Sequence, residues 1–153
     1  MRIIKLGVIS FLVLFGIITI FSLFIPPHIR ISRAINMKPQ KDSVLSLIKD
    51  STRWREWNPA FADSVKEQFR VQIKFTALTD SSVICEWKQD NKQPVTNGWN
   101  IYSSPGADSL TVQWYMDFRL KWYPWKKFES LFFDKVYGTM MEKGLMNIKN
   151  KIQ

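Results

Sequence analysis

The sequence has few of the side chains on which metal and redox chemistry depend. Its 153 residues include one cysteine, Cys85, and one histidine, His28. A single cysteine excludes an intrachain disulfide and a Cys-x-x-Cys redox pair, and the two residues together are too few for a four-ligand Cys/His zinc site. We therefore predict neither a bound metal nor a cofactor.

Good candidates for catalysis are also lacking. His28 borders a long apolar segment, which is a poor place for a buried general base. Cys85 has the same strand parity as Val83 and Trp87, so it is predicted to be a small core residue. Four acidic residues of the predicted strands and terminal helix fall on faces predicted to be solvated: Glu86, Asp117, Glu129 and Asp134. We predict no catalytic residue, and acid–base chemistry through a tyrosine or an aspartate stays open.

Runs of basic residues are absent as well. The chain has 22 Lys and Arg against 13 Asp and Glu, a formal net charge of +9, but the excess is spread over residues 28–153. Nucleic-acid binding would need Lys and Arg clustered with exposed aromatic residues, so no nucleic acid is predicted as a partner. In a domain tethered to a membrane, the same positive charge would favour contact with anionic phospholipid.

Apolar residues are abundant at the amino terminus. Leu6–Ile25 are twenty residues without a charge, followed by two prolines. Twenty helical residues at about 1.5 Å each match the roughly 30 Å hydrocarbon core of a bilayer. Because no small-x-small cleavage site follows, we predict a single-pass transmembrane anchor over residues 1–27. A cleaved signal and a buried core helix are the alternatives.

The side of the membrane is less clearly specified. Arg2 and Lys5 precede the apolar segment, and four basic residues follow it within positions 30–41, so the positive-inside rule is nearly balanced. A short basic tail ahead of a long apolar segment usually stays in the cytoplasm. We therefore expect the cytoplasmic (inner) membrane with the domain on its outer side, and the opposite orientation stays open.

Hydrophobic periodicity divides residues 28–153 into strands and helices. Alternation predicts strands at 28–36, 69–77, 83–87, 95–103 and 110–120, and helical spacing predicts a stretch over 41–58 and a long helix after Pro124. The long helix includes Gly138 and Gly144, which predict either close packing of its backbone or a bend. An antiparallel sheet with a polar face, packed on its other face by a long amphipathic helix, is an α+β domain.

Two motifs carry a resemblance to a known superfamily. The segment Trp-x-x-Trp-Asn-Pro lies at 54–59, and the terminal helix contains Phe-Phe-Asp-Lys-Val-Tyr-Gly at 132–138. With the order of the elements around them, these make residues 28–153 resemble the START-like (SRPBCC) superfamily of polyketide cyclases, birch-pollen-allergen-like proteins and lipid-transport domains. The resemblance implies the helix-grip fold, in which a curved antiparallel sheet wraps the C-terminal helix. That fold usually has six or seven strands, so a further strand is expected within 60–80 or at 95–103.

The resemblance also implies an elongated apolar cavity between the sheet and the terminal helix. The residues predicted to line it are Phe132, Val136 and Met140 on the inner side of the helix, Trp99 and Trp114 on the strands, and Trp57 and Phe61 near one mouth. Arg33 shares the inner parity of the first strand, where it would orient an acidic ligand head; a strand-edge position or a salt bridge explains it as well. The chain has 7 Trp, 11 Phe and 4 Tyr, which favour either a ligand pocket or a filled core.

The sequence therefore favours a membrane-anchored START-like domain that binds a hydrophobic small molecule or lipid without catalysis. The alternatives are a polyketide cyclase-like enzyme and a membrane-tethered protein-interaction module, because a superfold hosts many activities.

Overall fold

A computed structural model describes residues 2–38, 40–62, 71–89, 92–103, 106 and 108–152. The helices are α1 (Arg2–Leu23), α2 (Lys41–Lys49), α3 (Pro124–Glu129) and α4 (Thr139–Ile152), and the strands are β1 (His28–Met37), β2 (Val71–Leu78), β3 (Ser82–Gln89), β4 (Val95–Ser103) and β5 (Leu110–Arg119). Two short 3₁₀ turns, Ser51–Glu56 and Pro59–Phe61, follow α2.

The five strands form one antiparallel sheet in the order β1-β5-β4-β3-β2. Alternation on β5 buries five apolar side chains on one face: Leu110, Val112, Trp114, Met116 and Phe118. Helices α2 and α4 pack on the sheet, so the predicted α+β class is confirmed. Residues 95–103 are β4. The predicted start of the second strand, residues 69–70, lies outside the described residues.

The terminal helical segment runs from Pro124 to Ile152, and its helix type changes along its length. Between α3 and α4 lie a 3₁₀ turn, Ser130–Phe132, and a π-helical turn, Asp134–Gly138. The side chains that face the sheet are Phe133, Tyr137, Met141, Leu145 and Ile148. This inner stripe contacts β1 and β5, as expected for the helix that closes the domain.

The predicted inner positions of Phe132 and Val136 are wrong, because these side chains are 67% and 61% exposed. The terminal helix has two parallel apolar stripes with the same four-residue spacing. The first stripe is Phe132, Val136 and Met140, and the second is Phe133, Tyr137 and Met141. In the second stripe, Met141 lies four residues before the buried Leu145, so both side chains are on the same face of the helix. Met140, in the first stripe, lies five residues before Leu145 and is not on that face. Burial of Leu145 therefore selects the second stripe, and Met140 is left half-buried beside it.

Both helix glycines lie in close contact with side chains of the sheet. A Cβ at Gly144 would be 2.8 Å from Cζ3 of Trp114, and a Cβ at Gly138 would overlap the guanidinium of Arg33. The predicted close packing is confirmed at both positions. At Gly144 a side chain larger than hydrogen would press against the Trp114 ring, whereas at Gly138 it would displace the end of the Arg33 side chain.

Helix α1 has 22 residues and is long and apolar enough to cross a membrane. Its side chains are exposed along nearly its whole length, as those of a core helix would not be. After α1, the Ile25 carbonyl accepts a hydrogen bond from Lys127 Nζ at 2.9 Å, and the Pro27 carbonyl accepts one from the Leu120 amide at 2.8 Å. The end of α1 thus lies at one end of the sheet, which we call the proximal end. At this end β1 and β4 begin, and β3 and β5 end.

Candidate functional site

Tryptophan rings occupy the space in which the sequence predicts a cavity. Trp54, Trp57, Trp99 and Trp114 are each no more than 1% exposed. Ring centroids are 5.4 Å apart for Trp54 and Trp99, 5.8 Å for Trp57 and Trp114, and 5.2 Å for Trp99 and Trp114. These indoles contact one another in edge-on, tilted and stacked arrangements that stabilise a core. The structure therefore places the predicted lining residues Trp57, Trp99 and Trp114 in packed contact with each other.

Phe61 borders the same cluster. Its ring is 5.1 Å from that of Trp87 and 5.4 Å from that of Trp54, and it is half-buried. It belongs to the 3₁₀ turn that begins at Pro59, where Asn58 caps the turn by accepting a hydrogen bond from the Ala60 amide at 3.0 Å. The turn that starts at the Trp-Asn-Pro motif thus folds back over the sheet, and the Phe61 ring packs against the tryptophan core.

The buried indoles differ in whether their N–H groups are satisfied. Trp54 Nε1 donates to the Ile48 carbonyl at 2.8 Å, and Trp114 Nε1 donates to Asn97 Oδ1 at 3.2 Å. Nε1 of Trp99 has no acceptor within the part of the chain that the structure describes, and Nε1 of Trp87 has none there except a weak contact with the Cys85 thiol. A buried donor without a partner costs about 1–3 kcal/mol.

Arg33 is held by carboxylates of the terminal helix. Its Nε donates to Glu142 at 2.6 Å, and its Nη2 donates to both oxygens of Asp134 at 3.0 Å. The hydrogen bond to Glu142, followed by that to Asp134, raises the pKa of Arg33. Both structural alternatives for Arg33 are observed: β1 is an edge strand of the sheet, and the salt bridges of Arg33 attach it to the π-helical turn and to α4.

An apolar crevice of about 200 Å³ opens at the proximal end of the sheet. Its floor is built from Val95, Phe118, Phe133 and Tyr137. The Phe118 ring lies 4.9 Å from that of Phe133 and 4.7 Å from that of Tyr137, so the floor is a continuous aromatic surface. It lies beside the tryptophan core, where the inner stripe of the terminal helix meets β5.

The rim of this crevice is mainly basic. Four cationic residues and one carboxylate lie around it: Lys92, Arg119, Lys121, Lys126 and Glu129. Lys126 Nζ is 2.6 Å from Glu129 Oε2. Burial, with a smaller effect of the Glu129 charge, raises the pKa of Tyr137, so its phenol stays protonated at neutral pH. An aromatic floor with a basic rim suits an amphiphilic molecule that has an apolar body and an acidic head.

Sequence reasoning missed this crevice because it selected the other stripe of the terminal helix. The signals that could have found it are Phe133 and Tyr137 at helical spacing and the Arg119-x-Lys121 pair that ends the last strand. A larger groove, of about 610 Å³, lies at the opposite end of the sheet. It is mainly polar, with Lys41, Ser81 and Thr111 among its lining residues, and offers less to an apolar ligand.

Several titratable groups of the domain are buried or form ion pairs. Burial raises the pKa of the Cys85 thiol to about 12, so it is not a nucleophile at neutral pH. Asp117 accepts hydrogen bonds from Arg30 at 2.6 and 2.7 Å, and Asp134 and Glu142 are paired with Arg33. Among the residues that the structure describes, there is no group of three or more His, Cys, Asp and Glu that could hold a metal ion.

Comparison of the fold with solved structures gives many matches. The crystal structure of the di-domain ARO/CYC StfQ from the steffimycin biosynthetic pathway matches with a TM-score of 0.61 and 9% identity, covering 80% of this chain and 50% of that one. Protein XoxI from Bacillus cereus matches with a TM-score of 0.58 and 9% identity, over 80% and 94% of the two chains. A START superfamily protein from Mycobacterium smegmatis matches with a TM-score of 0.55 and 15% identity, over 81% and 99%.

These matches establish the fold. Residues of this chain adopt the helix-grip fold of START-like proteins and ARO/CYC polyketide cyclases, and the predicted resemblance is confirmed. The chain spans about half the length of the di-domain cyclase. No protein-family model matches the sequence, and the search of curated proteins finds no match either. At identities of 9–15%, the likeness carries architecture and leaves the activity to be argued from the site.

Proposed function

We propose that this protein is a membrane-anchored helix-grip domain that binds a hydrophobic small molecule or lipid in the proximal crevice without catalysing a reaction. The observation that carries the proposal is the combination of an aromatic floor and a basic rim at the end of the sheet where α1 joins the domain. The apolar body of the ligand would lie on Phe118, Phe133 and Tyr137. Its head would lie among the cations of the rim, an arrangement suited to an acidic group.

The anchor in this proposal is α1. An exposed, uncharged helical stretch of this length is costly in water and stable in a bilayer, because every backbone group is satisfied within the helix. We propose a single pass through the cytoplasmic (inner) membrane with residues 28–153 on the outer side. The crevice would then open close to the lipid from which a hydrophobic ligand could come.

The test compares two charge reversals that differ only in position. The full chain, its Lys121→Glu variant and its Lys41→Glu variant are purified in detergent, and co-purified small molecules are identified by mass spectrometry. Lys121 lies on the rim of the crevice, whereas Lys41 lines the groove at the opposite end of the sheet. We expect an amphiphile with the wild type and with Lys41→Glu, and a several-fold lower yield with Lys121→Glu.

Both lysines are at the surface, so equal melting temperatures should show that the three proteins are folded. An amphiphile that is retained equally by both variants would place the ligand elsewhere. A wild-type protein that carries no amphiphile, and takes up none from added lipid extract, would contradict the proposed binding function.

A further inference from the structure

Two of the seven tryptophans do not belong to the core. Trp122 is 74% exposed and Trp125 is 58% exposed, whereas the other five are buried. The ring of Tyr123 lies between them, 4.8 Å from Trp122 and 5.1 Å from Trp125, and the Tyr123 and Trp125 rings are parallel within 2°. We call these three residues the aromatic face. Such large rings are seldom left together in water unless the surface binds something.

The aromatic face is fixed to the end of α1. Pro124, which starts α3, is buried, and Lys127 in the same helix is 7% exposed with its Nζ bonded to the Ile25 carbonyl. Ile25 lies two residues after the end of α1, and its neighbour Phe24 is 82% exposed. The three rings therefore lie beside the junction between α1 and the domain.

We propose that the aromatic face docks on the headgroup region of the bilayer that α1 crosses. This inference rests on the proposed anchoring function. Tryptophan and tyrosine favour the membrane–water interface because their rings are apolar and their N–H or O–H groups find partners there. Lys121 and Lys126 flank the rings and are exposed; Lys121 adds attraction to lipid phosphates, whereas Lys126 is paired with Glu129. The bilayer is favoured over a protein partner because the covalent chain already brings it to this surface.

Docking would also set the position of the crevice. Lys121 and Lys126 belong both to the flanks of the aromatic face and to the rim of the crevice. With the rings among the headgroups, the rim lies at the same depth. A lipid could then reach the crevice from the bilayer without passing through bulk water.

The position of the two exposed tryptophans can be measured by fluorescence. The full chain is reconstituted in nanodiscs of phosphatidylcholine and phosphatidylglycerol, with or without lipids brominated near the headgroup end of the acyl chains. Since five indoles are buried, quenching by brominated lipid should come from Trp122 and Trp125. We expect strong quenching of the wild type, and a nearly complete loss of that quenching in a Trp122→Phe/Trp125→Phe double variant.

Trp87→Phe is the matched control, because it removes a buried indole and should leave the quenched amplitude unchanged. The phenylalanines of the double variant keep an apolar surface, so the loss of signal reports position and not unfolding. Aqueous iodide provides the opposite measurement on the full chain: it should reach Trp122 and Trp125 poorly in nanodiscs and well once the protein is unfolded in denaturant.

Flotation with vesicles after a carbonate wash separates the two proposals. A chain that does not float would overturn the anchor and the docking surface together. If the chain floats but its indoles stay open to iodide and are not quenched by brominated lipid, docking is wrong and the anchor stands. Protection from iodide without quenching by lipid would also overturn docking, and would indicate a protein partner or a second copy on this face.

Discussion

Single residues in the core differ in what their polar atoms contact. Trp99 and Trp114 are both fully buried and their rings are stacked, but only Trp114 has a hydrogen-bond acceptor in the described part of the chain. Asn97, which accepts that bond, is itself buried. The two positions therefore form a matched pair in which ring burial is the same and hydrogen bonding differs.

Replacing each of these tryptophans by phenylalanine should separate the two contributions. Trp114→Phe removes ring volume and leaves Asn97 Oδ1 without its donor, whereas Trp99→Phe removes similar volume together with an unpaired N–H. We expect Trp114→Phe to lower the free energy of unfolding by about 1–2 kcal/mol more than Trp99→Phe does. Chemical denaturation of both variants measures the difference. Equal losses would show that the Trp99 N–H has a partner in the native protein.

Cys85 gives a prediction about pH. Burial raises the pKa of its thiol from an ordinary value of 9.0 to about 12, so the folded state holds the proton more tightly than the unfolded state does. The contribution to stability is complete below pH 9 and is lost as the pH rises toward 12. At pH 8 we expect alkylation of the native thiol to be about a thousandfold slower than in denaturant, from the thiolate fraction alone. Rapid labelling of folded protein would contradict the buried position.

At the scale of elements, the terminal helix is attached to the sheet at two glycines with different surroundings. At Gly138 the neighbouring group is the end of the Arg33 side chain, which can move. At Gly144 it is the ring of Trp114, which is packed against other indoles and cannot move. The same substitution should therefore have different consequences at the two positions.

Alanine at Gly144 should destabilise the protein by about 1–3 kcal/mol, because overpacking exceeds the gain in helix propensity. Alanine at Gly138 should be nearly neutral: the gain of about 1 kcal/mol in propensity is offset by displacement of Arg33 from carboxylates that are themselves exposed. In an Arg33→Ala background, Gly138→Ala should become stabilising. A double-mutant cycle followed by thermal unfolding measures this difference between the two backgrounds, and additivity would exclude the contact.

At the scale of the whole molecule, α1 contributes little to the core of the domain. Every member of the main hydrophobic cluster lies after residue 28. In the described part of the chain, the end of the first segment is joined to the domain by hydrogen bonds from Lys127 to Ile25 and from Leu120 to Pro27. The division into an anchor at 1–27 and a domain at 28–153 therefore stays a prediction that truncation can test.

A protein that starts at residue 28 should be folded and soluble without detergent. It loses about two hydrogen bonds, each worth about 1 kcal/mol, so its melting temperature should fall by only several degrees relative to the full chain. Thermal unfolding followed by circular dichroism measures the shift. Aggregation of this protein, together with loss of its cooperative transition, would show that the first segment is part of the fold.

The sequence by itself determined the features that depend on periodicity along the chain. Twenty uncharged residues specify a helix that can cross a bilayer, and alternation through Leu110–Leu120 specifies a half-buried strand whatever it pairs with. The same local signals indicated the α+β class, and the resemblance carried by two motifs implied the helix-grip fold. Within residues 60–80, one of the two places where a further strand is expected, Val71–Leu78 form β2 and residues 63–70 lie outside the described part of the chain.

Only the tertiary structure decided what touches what. The terminal helix has two apolar stripes with equal spacing, and packing on the sheet selected Phe133 and Tyr137 over Phe132 and Val136. Arg33 meets Glu142 across 109 positions, and Lys127 meets Ile25 across 102. Periodicity describes one element at a time, whereas the crevice, the filled tryptophan core and the aromatic face each arise where separate elements come together, because side chains distant in sequence compete for the same space.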